Sequence, residues 1–180
     1  MYFNYQLRIT NFKLVKNEVN VGFGRANNQG SKLARGKYIL LLNSDTIVLD
    51  NAIEKLYHFI TTRTEADFVG AKLLNKDMSA QPSCGPYYSL PVVFAALFLK
   101  GDYWGLTRRS PDKITQTGWI SGACIMCKKQ TYESLGGFDE EIFMYMEEID
   151  LLYRARQKGM MVFIYPEAKI IHLGSVSSGG

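Results

Sequence analysis

Short apolar runs alternate along this chain with stretches whose apolar positions recur at helical spacing. Tyr38–Leu42 is a continuous apolar run bounded by Lys37 and Asn43, the pattern of a strand buried on both faces. Phe68–Leu73 reads as a second strand. Between them, about Asp50 to Thr61 reads as a helix with Ile53, Leu56, Tyr57 and Ile60 as its apolar stripe and Asp50 as N-cap. Upstream, Phe12–Val15 is a short β-prone stretch, Asn20-Val-Gly-Phe-Gly a turn, and Arg25–Arg35 a helix stopped by Gly36. Strand–helix–strand alternation predicts an α/β fold with a parallel sheet.

Regularity lapses from Asn75 to Thr117, where Pro82, Pro86, Pro91 and Pro111 surround an apolar island at Val92–Leu99. This part reads as an insertion or flap with one short helix. It separates residues 12–74 from residues 118–180 within a single domain. Gly118–Lys128 is apolar again, with Ile120–Cys127 strand-like. Thr131–Leu135 is a short helix ended by Gly136-Gly137, and the acidic segment Asp139–Asp150 leads into a helix reaching about Lys158 with Gly159 as its cap. Met161–Tyr165 and Ile170–Leu173 close the chain as two short strands.

Composition changes this picture little. The chain has 180 residues, 47% apolar and 21% charged, with net charge +4, an ordinary globular balance. The densest basic cluster, Arg108 and Arg109 with Lys113 beyond, is too small to argue for nucleic acid. The longest apolar run, Leu90–Leu99, falls far short of the roughly 20 residues that span a bilayer. No signal peptide opens the chain, so a cytoplasmic protein is expected. The three cysteines, Cys84, Cys124 and Cys127, form no disulfide framework. Cys124 and Cys127 have redox-motif spacing but lie in a strand-like segment, so small buried thiols are expected.

Three places carry candidate chemistry. Asp45 sits where a strand of an open α/β sheet ends, and ligands bind beyond such ends. With Asn43 and Ser44 it suits a hard divalent cation shared with a diphosphate, or a turn in which Asp45 caps its own backbone. Glu147, Glu148 and Asp150 cluster at a helix start, where the helix dipole favours carboxylates. The aromatic run before them instead suits a raised pKa and general-base chemistry. Asp150 and Arg154 have i,i+4 spacing. His172 is a lone histidine near the end of a strand, and His58 lies within a helix.

Several stretches share one order and spacing: Asn20-Val-Gly-Phe-Gly-Arg-Ala-Asn-Asn-Gln-Gly, Gly36-Lys-Tyr-Ile-Leu-Leu-Leu-Asn-Ser-Asp-Thr, and Gly118-Trp-Ile-Ser-Gly-Ala-Cys. They are followed by Gly136-Gly-Phe-Asp-Glu-Glu-Ile-Phe-Met-Tyr-Met-Glu-Glu-Ile-Asp-Leu and Pro166-Glu-Ala-Lys-Ile-Ile-His-Leu-Gly-Ser. Together, over about Leu14 to Ser178, they resemble the rhamnosyltransferase-like branch of the family 2 glycosyltransferases, which implies an N-terminally truncated α/β GT-A (nucleotide-diphospho-sugar transferase) fold, a mostly parallel mixed sheet flanked by helices.

That resemblance implies roles. Asn43-Ser44-Asp45 matches the family's Asp-x-Asp element, making Asp45 a metal ligand for Mg2+ or Mn2+, with His172 completing the site. Glu148 matches the catalytic base, although the family usually has Asp there and Glu147 stays an alternative; Asp150 and Arg154 position the helix and the substrates. Gly22, Arg25 and Asn28 match positions that line the donor pocket. Trp119, Ser121, Gly122 and Ala123 fall where sugar and acceptor meet. The donor implied is a nucleoside diphosphate sugar (dTDP-rhamnose or a UDP-sugar), and the acceptor a glycan or polyprenyl-linked hydroxyl in surface polysaccharide or cell-wall assembly. One displacement with one base inverts configuration.

The family's opening strand, helix and base-reading strand have no room before Met1–Asn11, a half of roughly 60 residues. The expectation is weak or absent activity for this chain alone, as an inactive fragment would show, and an exposed sheet edge that invites self-association. Two rival readings remain. A sugar-1-phosphate nucleotidyltransferase would want a glycine-rich phosphate loop near the N-terminus, and none is present. A pseudoenzyme would bind sugar nucleotide or a partner without turnover. The island Val92–Leu99 beside Tyr103 and Trp104 is read as core packing, or as a contact to a polyprenyl carrier or the inner membrane face.

Overall fold

A computed structural model of the chain describes residues 12–101 and 104–174. The opening Met1–Asn11, Tyr103 and the end of the family-like stretch at Ser178 lie outside them. In chain order the elements are α1 (Phe23–Leu33), β1 (Tyr38–Leu42), β2 (Thr46–Val48), α2 (Ala52–Thr62), β3 (Ala66–Leu74), β4 (Ala80–Gln81), β5 (Cys84–Gly85) and α3 (Leu90–Phe98). They continue with β6 (Thr115–Thr117), β7 (Trp119–Ile120), β8 (Cys124–Lys128), α4 (Lys129–Ser134), α5 (Glu147–Gln157) and β9 (Met161–His172).

The main sheet runs β1-β8-β3-β9-β2, with β4 added to β3 and β6 to β9. It is mixed, but among the described residues parallel pairing is confined to β3 and β9, and every other pair is antiparallel. The α/β alternation suggested more parallelism because it could not reveal that β8 inserts between β1 and β3. The sheet has helices on both faces. Along β8, Ile125 and Cys127 join the core with Phe138, Leu151 and Leu152, while Cys124 and Met126 join the core with Leu56, Phe59 and Ile60. This is the two-residue alternation of a strand covered on each side.

Several sequence expectations shift. Residues 12–17 form no strand. β1 has the bounds expected of it, but it ends the sheet among the described residues and its burial alternates. A continuous apolar run therefore did not mean burial on both faces. The α2 stripe is Ala52, Leu56, Phe59 and Ile60, with Ile53 and Tyr57 exposed; the helix starts later, after left-handed Asp50 and Asn51, so Asp50 is no N-cap. The α1 helix ends at Ala34 rather than Gly36. The run Gly118–Lys128 breaks into β7 and β8 around a turn at 121–123. The two expected closing strands are one, β9. Gly136, Gly137 and Gly159 have positive φ where helices were expected to stop.

The three cysteines are buried free thiols, and burial pushes the Cys124 thiol up to about 12. Such thiols suit packing, not redox exchange. The island expected to be core packing is α3, and none of its residues is buried.

Candidate active site

Three turns from distant parts of the chain meet at one end of the sheet. The first, Asn43-Ser44-Asp45, connects β1 to β2 and is closed by Thr46 Oγ1 donating to the Asn43 carbonyl at 2.7 Å. The Asn43 amide donates to the Ala123 carbonyl at 3.1 Å, tying this turn to the second, Ser121-Gly122-Ala123. Strand β2 pairs with the end of β9, with Thr46 opposite His172, and the Leu173 amide donates to the Asp45 carbonyl at 2.9 Å. The third is the start of α5, where the Glu148 side chain lies against Gly122: a Cβ on Gly122 would come within 3.8 Å of the Glu148 Cβ.

Asp45 Oδ2 lies 3.4 Å from His172 Nε2, and each side chain is only 18% exposed. The tautomer follows from a chain of amides. Gln81 donates its amide nitrogen to Asn75 Oδ1 at 3.2 Å, which leaves Gln81 Oε1 to accept from His172 Nδ1 at 3.0 Å. A neutral ring held this way turns the Nε2 lone pair toward a carboxylate oxygen. Two acceptors at that separation need a proton or a cation between them. Asn43 adds a buried Oδ1 without a partner among the described residues. This set of carboxylate and imidazole fits a divalent cation that takes its other ligands from a substrate's phosphates. No group of three His, Cys, Asp or Glu side chains converges among the described residues, so the protein would supply a sparse set.

Glu148 has its pKa raised, mainly by burial and further by the neighbouring Glu147 carboxylate. The backbone amide of Gly122 and the charge of Arg108 pull the other way. A half-buried carboxylate with a raised pKa, held beside a glycine turn, is suited to accept a proton. Glu147 is buried, and its Oε2 has no partner among the described residues. Asp150 is engaged elsewhere: Arg154 donates to its Oδ2 through Nε at 2.8 Å and Nη2 at 2.7 Å, and also bonds the Leu135 and Gly137 carbonyls. Asp150 and Arg154 thus fasten α5 to the glycine turn before it.

Other expected residues sort unevenly. Gly22 packs so closely on Phe143 that a Cβ would come within 2.7 Å of its carbonyl oxygen. Arg25 donates from Nε to the Glu140 carbonyl at 3.0 Å and is exposed. Asn28, expected in the donor pocket, braces the interior. It is buried, donates to the Phe138 carbonyl and Glu140 Oε1, and accepts from Tyr132 Oη and the Phe138 amide. Ser44 is exposed on its turn. Trp119 is buried, stacked 6.3 Å from Tyr88, with Arg108 5.6 Å from its ring centroid.

Two contributors carry no sequence signal. Gln81 reaches His172 because β4 folds back on β3. Arg108 stood out only as charge, and its neighbour Arg109 pairs backbone to backbone with Cys84. A pocket of about 220 Å3 opens between Tyr87, Tyr88 and Trp119 on one side and Met146, Ile149 and Tyr153 on the other. It adjoins the α5 turn that carries Glu148. A broader groove of about 1030 Å3 borders β1 and α2 and holds none of the expected site residues.

The description "Glycosyl transferase family 2" matches residues 2–83. An N-acetylglucosaminyl-diphospho-decaprenol L-rhamnosyltransferase of Mycobacterium tuberculosis is 26% identical over 192 residues, covering 96% of this chain and 62% of that protein. The chain is thus similar to the family 2 glycosyltransferases over residues 2–83. Rhamnosyltransferase WbbL of Escherichia coli is 25% identical over 84% of this chain and 60% of that protein. The chain spans about three-fifths of the length of both relatives. The solved structure of GalNAc-T7 with UDP, GalNAc and Mn2+ overlays it at a TM-score of 0.64, with 14% identity, covering 91% of this chain and 32% of that one. That likeness establishes the GT-A fold.

Proposed function

We propose that this chain moves a sugar from a nucleoside diphosphate donor to an acceptor hydroxyl with inversion at the anomeric carbon. The observation that carries the reading is Glu148, a carboxylate with a raised pKa held against Gly122 within one bonded network that also contains Asp45. Glu148 takes the acceptor proton as the acceptor oxygen bonds to the anomeric carbon, and the bond to the diphosphate breaks with its electron pair leaving on the phosphate. A single base acting on one face inverts the centre. Asp45 and His172 would hold Mg2+ or Mn2+, which when bound supplies charge neutralisation at the donor's diphosphate. Ser121 to Ala123 and Trp119 frame the space where donor and acceptor meet, with residues 75–117 as the flap over it. Among the described residues no helix is long and apolar enough to cross a membrane, and a cytoplasmic place of action fits this scheme.

The mycobacterial relative is named for moving L-rhamnose to a decaprenyl diphosphate-linked N-acetylglucosamine, and that name supports dTDP-rhamnose as donor and a polyprenyl-linked glycan as acceptor; a UDP-sugar is the second donor to test. The deciding assay incubates the chain with Mn2+, each donor and a short-chain polyprenyl diphosphate acceptor, and reads the product's anomeric configuration by NMR. An inverted product that vanishes in Glu148→Gln supports the reading. A retained product, or nucleotide binding without turnover, overturns it.

A further inference from the structure

Helix α3 is built the wrong way round for a helix packed on a water-soluble protein. Every residue from Leu90 to Phe98 is apolar, and none is buried. Leu90, Phe94, Leu97 and Phe98 follow the i, i+4, i+7, i+8 spacing of one helical face, and that face points outward. Leu90 is 87% exposed, Leu97 71% and Phe98 69%. The smaller or branched residues Val92, Val93, Ala95 and Ala96 are the half-buried ones. The stripe continues past the helix: Leu99 and Leu106 are exposed, and Trp104 is 70% exposed.

Cations border this face. Lys100 follows the helix directly, and the chain then folds back, with the Gly101 amide donating to the Ala95 carbonyl and the Leu106 and Thr107 amides to the Gly101 carbonyl. That return sets Arg108 and Arg109, both exposed, beside the helix's C-terminal end. An outward apolar stripe with tryptophan and a cationic margin is the composition of a segment that lies in a bilayer interface. Nine residues give a helix about 14 Å long, under half the roughly 30 Å hydrocarbon core, so the element lies on a bilayer and does not cross it.

We propose that α3, with Trp104 and Leu106, docks this protein on an anionic lipid bilayer, with Lys100 and Arg109 against the headgroups. Anionic headgroups are the occupant that satisfies both the apolar stripe and its cationic edge; a second copy of this chain would bring like charges together. The docking does not depend on the sugar-transfer reading. It also explains a stripe that would otherwise be a solubility liability. The same segment leads from Tyr87 and Tyr88, which line the pocket beside Glu148, so a docked chain would present that pocket near the lipid surface.

The test is cosedimentation of the purified chain with phosphatidylcholine vesicles, with and without phosphatidylglycerol. The expected result is binding to the anionic vesicles that weakens as salt rises. The triple variant Phe94→Ser, Leu97→Ser, Phe98→Ser should lower that partition at least about tenfold. The pair Lys100→Gln, Arg109→Gln should remove most of the salt dependence. Near-ultraviolet circular dichroism and a cooperative melt establish that each variant is folded. Absence of binding by the folded wild-type chain, or equal binding by the triple variant, overturns the proposal. So does a concentration-dependent dimer in sedimentation velocity that the triple variant abolishes, because the stripe's occupant would then be a second copy.

Discussion

His172 presents Nε2 to Asp45 Oδ2 at 3.4 Å while Gln81 holds the opposite ring nitrogen at 3.0 Å. The outer contact sets the tautomer and the inner pair offers two acceptors, an arrangement in which partners beyond the ligands tune affinity. In titration calorimetry, Asp45→Asn and His172→Ala are expected to abolish Mn2+-dependent binding of dTDP or UDP. Gln81→Leu should weaken it by about 10–100-fold, since the ring loses its orientation but keeps its nitrogen. Metal-independent nucleotide binding of wild-type strength in Asp45→Asn would remove the pair from the metal site.

Glu148→Gln keeps the shape of the side chain against Gly122 and removes its basicity. Loss of a general base costs about 10²–10⁴-fold in turnover, while donor binding through Asp45 and His172 should change little. Rapid-quench turnover and calorimetry on the same preparation separate the two effects. Equal loss of both would assign Glu148 to donor binding.

The charges facing Glu148 set the pH at which it works. Burial and Glu147 raise its pKa, and Arg108 lowers it. The acid limb of the kcat/KM profile should therefore lie above the ordinary carboxylate range, with activity rising as Glu148 loses its proton. Arg108→Met should move that limb to higher pH and Glu147→Gln to lower pH. Stability follows with opposite sense. Between the ordinary and the raised pKa the folded chain binds more protons than the unfolded one, so stability falls as pH rises through that window. Glu148→Gln should flatten the fall, as melts across the window would record. An acid limb unmoved in both Arg108→Met and Glu147→Gln would assign it to another group.

What could be read from the sequence divides by how far apart the cooperating residues lie. The bounds of β1, the capping glycines after α4 and α5, and the Asp150–Arg154 pair are local, and local patterns predicted them. The resemblance supplied Asp45 and Glu148 because their short motifs are contiguous. Gln81 and Arg108 were illegible, since strand pairing carries them to the site from a segment with no periodicity of its own. The run in β1 misled about burial because apolar content cannot tell an edge strand from a central one. The island at α3 misled for a related reason: an apolar run says that water is unfavourable, not what replaces it.

Asn28 gives the sharpest separation between the motif's implication and the fold. The resemblance set it in the donor pocket, whereas its amide joins α1 to the turn after α4 through bonds to Tyr132, Phe138 and Glu140. The fit is close enough that a Cβ on Gly137 would come within 2.4 Å of Asn28 Oδ1, so the brace and the glycine depend on one another. Asn28→Ala strands the Phe138 carbonyl and the Tyr132 hydroxyl proton in a buried place and leaves the Phe138 amide only its 3.3 Å bond to Tyr132 Oη, which costs about 2–4 kcal/mol. The melting temperature should drop by ~5–15 °C, with nucleotide affinity nearly unchanged below the transition. Asn28→Asp should be little better, because it keeps the acceptor, loses the donor and sets a carboxylate beside Glu140. Differential scanning calorimetry and nucleotide titration on the same variants decide the point. An unchanged melt with a large loss of affinity would return Asn28 to the donor pocket.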